Sequence, residues 1–194
     1  MQTTAYTIFK LVYNLKAVIM KTLNTIGLLF LLLFSSISSS CQNTNNTDLT
    51  LSQQEKNEML FMLEEEKLAF DIYNFLNEKW NLRVFGNISQ SEERHMNAMK
   101  GLLQYNNIAF TLNKERGVFK NSELQKLYDE LISKGQKSKL DALEVGKLIE
   151  EKDIEDLQLA IKNTYDEYSI NVYTNLLNAS YNHLNAFNRN ISKY

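Results

Sequence analysis

The chain has only two histidines, and each lies in a stretch of helical character beside residues able to bind a cation. The first closes the run Ser91-Glu92-Glu93-Arg94-His95. Glu92 and His95 are three apart, which on a helix puts both on one face with Cβ atoms about 5–6 Å apart. A carboxylate and an imidazole so placed can hold one metal ion from the same side. Glu-x-x-His is the unit with which helical bundles hold di-iron or di-manganese centres. Alone it is a weak signal, because acidic helices produce it by chance. The second histidine closes Ser180-Tyr181-Asn182-His183, on a stripe with Tyr173, Leu176 and Phe187. A lone His on an apolar face is more often a core residue than a ligand. Here it falls where the last helix of a bundle would deliver one.

Two more segments supply carboxylates. In Glu64-Glu65-Glu66-Lys67-Leu68-Ala69-Phe70, Glu66 has Met62 and Leu63 one turn behind and Ala69 and Phe70 one turn ahead. That register points its carboxylate toward a core, where an unpaired charge is costly and a metal removes the penalty. Glu150 shares a stripe with Leu143, Gly146, Asp153, Ile154, Leu157 and Ile161. Its neighbour Glu151 shares a face with Glu144, Lys147, Glu155 and Gln158 and reads as solvated. The single cysteine, Cys41, can form neither an intrachain disulfide nor a thiolate cluster. The remaining oxygen and imidazole donors suit iron or manganese.

These residues need long helices to position them, and the composition favours them. Proline is absent and glycine occurs six times in 194 residues, so little interrupts a helix. Apolar residues at three- and four-residue steps predict helices over about 55–79, from Ser89 or Ser91 to about 105, about 139–164 and about 166–192. Phe85-Gly86-Asn87 reads as a turn before the second. Residues 106–120 show no period. Ser122 and Gln125 read as a capping box opening a short helix that Gly135 stops. The expected fold class is all-α: a four-helix bundle with a long crossover carrying a short extra helix, the ferritin-like arrangement. A net charge of −2 gives no footprint for a nucleic-acid partner.

The front of the chain reads as a targeting segment. Residues 26–34 are apolar but too few to span a bilayer, which takes about 20. They follow Met20-Lys21 and lead through Ser38-Ser39-Ser40 to Cys41, a basic–apolar–small layout that resembles a bacterial lipoprotein signal. The resemblance implies a signal over residues 1–40, with Met20 as the true start. It also implies a lipidated Cys41 leading a polar tether over 41–54, and a domain over 55–194. The expected location is that of an exported lipoprotein, membrane-anchored on the periplasmic side or the cell surface.

The stretches Glu64 to Tyr73, Asn87 to Met96, Ala142 to Gly146, Ile149 to Ile154 and Ser180 to Leu184 carry a resemblance to a ferritin-like family, domain of unknown function 2202. It covers about residues 55–190. The wider ferritin pattern implies a ligand Glu on the first helix with a small residue three on and a Tyr seven on. Glu66, Ala69 and Tyr73 fit, with Glu65 as fallback. It implies Glu92 and His95 on the second helix, Glu150 on the third and His183 on the fourth. The fourth helix departs from the pattern, because Ser180 stands where a Glu belongs; Asp153, one turn beyond Glu150, is the candidate to fill that gap. Tyr73, Tyr173 and Ser180 are candidates to lie behind the ligands, although a core aromatic with a satisfied hydroxyl is the commoner role for each Tyr. The implied cofactor is iron or manganese, one or two ions. The implied partners are metal ions and small oxidants, the membrane through the anchor, and a second copy in a homodimer. Two metals about 3.5–4 Å apart on such ligands could bind and reduce dioxygen or peroxide, so the expected function is iron oxidation or oxygen and peroxide chemistry, with enzyme activity left open. The alternative is a non-catalytic membrane-anchored interaction module with a degenerate or structural metal site. Iron storage ranks last, since a lipid anchor suits a closed shell poorly.

Overall fold

A computed structural model describes residues 51–194; the signal region, Cys41 and most of the tether lie outside the described residues. Five helices follow one another: α1 (Gln53–Trp80), α2 (Arg83–Tyr105), α3 (Ser122–Gly135), α4 (Lys139–Asn163) and α5 (Glu167–Ile191). No strand occurs among the described residues. None of these helices is long and apolar enough to cross a membrane. The expected all-α bundle with a long crossover and a short extra helix is what forms.

Local chemistry sets the helix ends. Ser52 and Glu55 form a reciprocal capping box at the start of α1. Asn81 ends α1 in the left-handed conformation at φ 50°, and Trp80 Nε1 donates to the Gly135 carbonyl at 2.8 Å. Two sequence expectations need correction. Helix α2 starts at Arg83, so Phe85-Gly86-Asn87 is helical. Phe85 and Ile88, three apart, are both buried in the core, and that burial overrides the turn propensity of Gly and Asn. Helix α3 is capped by Asn121, whose side chain accepts from the Glu123 and Leu124 amides. Gln125 closes no capping box; it accepts from the Phe119 amide and donates to the Gly117 carbonyl.

The core divides into two apolar clusters. One gathers Leu68, Ile72, Tyr73 and Leu76 of α1, Phe85 and Ile88 of α2, Leu143 and Ile149 of α4, and Phe187 of α5. The other gathers Met59, Met62 and Leu63 of α1, Met96, Met99 and Leu102 of α2, Leu157 and Ala160 of α4, and Tyr173 and Leu176 of α5. The order in which each helix meets the clusters gives its direction. Helices α1 and α5 run from the second cluster to the first, and α2 and α4 run back. Each of the neighbouring pairs α1–α2, α4–α5, α2–α5 and α1–α4 is therefore antiparallel. Parallel α2 and α4 require the chain to travel the length of the bundle between them, and residues 106–138 do so.

That crossover is tied to α1 by buried polar groups. The Glu64 carboxylate accepts from the Lys120 and Asn121 amides at 3.0 and 2.9 Å. Asp71 accepts from the Gly117 amide at 2.9 Å, and Lys67 pairs with Asp71 while donating to the Glu115 carbonyl. Gly117 has φ 74°, a conformation that L side chains rarely adopt.

Candidate metal centre

Between the two clusters, all four long helices place polar residues in the core: Glu66 on α1, Glu92 and His95 on α2, Glu150 on α4, Ser180 and His183 on α5. All six are buried. They form two overlapping triads. Glu66, Glu92 and His95 offer ligand atoms within 4.8 Å of one another, and so do Glu92, Glu150 and His183. Glu92 belongs to both. Its Oε2 lies 2.8 Å from His95 Nδ1, and its Oε1 lies 3.0 Å from His183 Nδ1. Each imidazole meets a second carboxylate at 3.3 Å, Glu66 Oε2 for His95 and Glu150 Oε2 for His183. The two rings stack at 5.5 Å between centroids, 23° from parallel.

These contacts are close but not satisfied. His95 Nδ1, His183 Nδ1, Glu92 Oε1 and Glu66 Oε1 are buried and lack a hydrogen bond of acceptable direction. Each ring nitrogen lies within 3.3 Å of two carboxylates. Buried polar atoms with no partner are rare and call for an explanation. Two carboxylate–imidazole pockets sharing one carboxylate fit two cations with oxygen and nitrogen preference.

Without a cation, protons take over part of the role. Burial works to lower the His95 imidazole, but Glu66 and Glu92 outweigh it and raise it to about 11. Burial is likewise overcome at His183 by Glu150 and Glu92, which raise it to about 9. Burial opposes ionisation of Glu92, yet the two imidazoles outweigh it and bring the carboxyl down to about 2. Burial and the nearby Glu92 push Glu150 up to about 8. Burial and Asp153 push Glu66 well above the usual carboxylate range.

The surroundings hold this layer in place. Tyr73 donates to Glu150 Oε1 at 2.6 Å, with its hydroxyl also 3.4 Å from the Gly146 carbonyl. Gly146 lets Phe187 close over α4: a Cβ there would lie 2.7 Å from Cδ1 and nearer still to two other ring atoms. Tyr73, Phe85 and Phe187 then form a ring cluster with centroids 5.4–5.9 Å apart.

The structure brings Glu66, Glu92, His95, Glu150 and His183 together, with Tyr73 behind Glu150. Glu65, the fallback on α1, joins neither triad. It faces Lys152 at 3.9 Å, and burial raises its carboxyl to about 8. Asp153 joins neither triad as it stands; its carboxylate is hydrogen-bonded to the Ser180 hydroxyl. Tyr173 does not lie behind the ligands. Ten residues separate it from His183, a rise of about 15 Å along α5. It packs in the cluster with Met59, Met62 and Leu176, and the charges that act on its hydroxyl are Glu58, Glu55 and Asp166. Its stripe gave its face correctly but not its height. Glu64 was not separated from its neighbours in the sequence; the signal for it lies in the crossover amides, which only the tertiary structure brings near.

The chain belongs to the family described as an uncharacterized protein domain, DUF2202, whose model matches residues 55–194. The uncharacterized protein MJ0754 of Methanocaldococcus jannaschii is 46% identical over 145 residues, spanning 74% of this chain and 78% of its own. The crystal structure of hypothetical protein MJ0754 from Methanococcus jannaschii DSM 2661 is similar with a TM-score of 0.73 at 42% identity. That match covers 82% of this chain and 87% of the other.

Proposed function

We propose that this DUF2202 chain is a ferritin-like metal protein whose core would hold one or two ions of iron or manganese, with Glu92 the carboxylate common to both pockets. The observation that carries the reading is the pair of buried triads sharing one carboxylate, with orphaned ring nitrogens facing both pockets. Glu66 and His95 would hold an ion in one pocket, Glu150 and His183 in the other. Tyr73 fixes the Glu150 carboxylate by its hydrogen bond, and the apolar clusters on either side exclude bulk water. A redox metal bound there would supply the electrons for reducing dioxygen or peroxide, and on that basis the reading is iron oxidation or peroxide removal. We further propose that Cys41 carries a lipid anchor, so that this chemistry takes place at a membrane, on the periplasmic side or the cell surface.

The test is elemental analysis of the purified full-length chain beside a Glu92→Ala/His95→Ala variant. About two ions per chain, lost in the variant, is the expected result for a dinuclear carboxylate site. A wild-type protein that stays folded and takes up no metal after anaerobic loading with ferrous ion refutes the proposal.

A further inference from the structure

The five ligands leave the proposed pair short of charge. Two dications facing three carboxylates retain one uncompensated positive charge in a buried layer, which is costly. Ser180 occupies the height on α5 from which a fourth carboxylate would come, and its hydroxyl cannot supply charge. Instead Ser180 is fully buried and hydrogen-bonded across to Asp153 on α4. Asp153 lies one helical turn beyond Glu150. Its charge acts on Glu66 of one triad and Glu150 of the other, and it is itself acted on by Glu92, His95 and His183.

We infer that Asp153 is the second bridging carboxylate of the dinuclear site, supplied from α4 and positioned by Ser180. The inference rests on the dinuclear reading above and adds to it a residue that neither triad contains. Ser180 has a single proton and two acceptors in reach, Asp153 Oδ2 and the Leu176 carbonyl at 3.0 Å. The Ser180 hydroxyl donates to one Asp153 oxygen, Oδ2, so Oδ1 is the oxygen that would serve the ions. The four carboxylates Glu66, Glu92, Glu150 and Asp153 then balance two dications. Ser180 is a positioning residue, since it acts through Asp153.

The experiment loads the full-length protein anaerobically with Mn(II). Stoichiometry is read by calorimetry, and the spin–spin coupling between ions by electron paramagnetic resonance. Wild type should bind two ions with a coupled signal. Asp153→Asn should lose the coupled signal and bind the second ion at least about tenfold more weakly, as losing a supporting group does. Loss of charge without loss of a bridge would weaken binding but leave the coupling, and would overturn the inference. Ser180→Ala should weaken the second ion, and Ser180→Thr, which keeps the hydroxyl, should restore it. The exchange Asp153→Ser/Ser180→Glu, which moves the carboxylate back to α5, should recover two coupled ions. A folded exchange variant that behaves like Asp153→Asn overturns the inference. Two coupled ions in Asp153→Asn overturn it while leaving the dinuclear reading intact. No metal in wild type overturns both.

Discussion

Stripped of metal, the bundle should lose stability as the pH rises from 6 to 8. Glu65 and Glu150 are raised from 4.5 to about 8 in the folded chain, and Glu66 is raised well above 4.5. A carboxyl raised by folding keeps its proton in the folded state after the unfolded chain has released it. Its folded form is therefore penalised progressively as pH climbs from 4.5 toward the folded value. His183 is raised from 6.5 to about 9 and His95 to about 11. Their contribution is fully present below 6.5 and is lost as pH rises through those folded values. Glu92 has the opposite sign, being lowered to about 2; its contribution is present above 4.5 and lost only as pH falls toward 2, so it is constant in this window. Every group that changes between pH 6 and 8 thus binds more protons in the folded chain. Taking one net proton as the floor, stability falls by about 1.4 kcal/mol per pH unit, or about 3 kcal/mol over the range. For a domain of this size that is a drop in Tm of about 6–12 °C. The assay is thermal unfolding followed by circular dichroism at fixed ionic strength with a chelator present. Glu150→Gln, which removes one of the contributing carboxyls, should flatten the slope. An apo protein with equal or higher Tm at pH 8 refutes the assignment of these shifts to the buried layer. Metal should reverse the trend, because binding releases protons from the same groups and tightens as pH rises.

Two further outcomes follow from single hydrogen bonds. Tyr73→Phe removes the donor to Glu150 Oε1 while keeping the ring that packs on Phe85 and Phe187. Metal affinity should fall by about 10–100-fold in a chelator competition with the fold intact, and an unchanged affinity counts against Tyr73 as support for Glu150. Glu64→Ala leaves the Lys120 and Asn121 amides without their acceptor. It should cost about 1–3 kcal/mol in urea unfolding and speed hydrogen exchange at those two amides; protection as in wild type sinks the crossover anchor.

Much of the site was legible because a buried carboxylate leaves a trace in its own helix. Glu66 is flanked by apolar residues one turn either way, and Glu151 is flanked by charge; the structure buries the first kind and exposes the second. Periodicity reports which face a residue occupies, so it placed Glu150 and His183 on inward stripes. It does not report height along the bundle, and that is why Tyr173 reads as a candidate behind the ligands but packs in the core about three turns from His183. Pairing across helices leaves no local trace at all. The sequence offers Asp153 for the gap that Ser180 leaves but does not indicate the hydrogen bond between them, and nothing around Glu64 indicates the two amides it holds. The start of α2 was obscured for a related reason, since Gly86 and Asn87 have turn propensity whereas Phe85 and Ile88 have a core to enter.

The position of the layer sets its energetic consequences. Each helix carries its site residues well inside its span, several turns from either end for α1, α2 and α4, so fraying does not reach them. Above and below lie the two apolar clusters. Filling the layer with Leu or Met would join the clusters, and hydrophobic replacement of buried charges is often neutral or stabilising. Carboxylates and imidazoles in that position therefore have no advantage for packing. They act as a set of bases facing one another in a dry space, where something positive must accompany them. With protons, the charge sits on His95 and His183 around Glu92. On the proposed reading, the same ring nitrogens and carboxylate oxygens would become ligands. Protons and metal would then compete for the same atoms, so stability of the bundle and occupancy of the site would be one linked equilibrium that pH moves in opposite directions for the empty and the loaded chain.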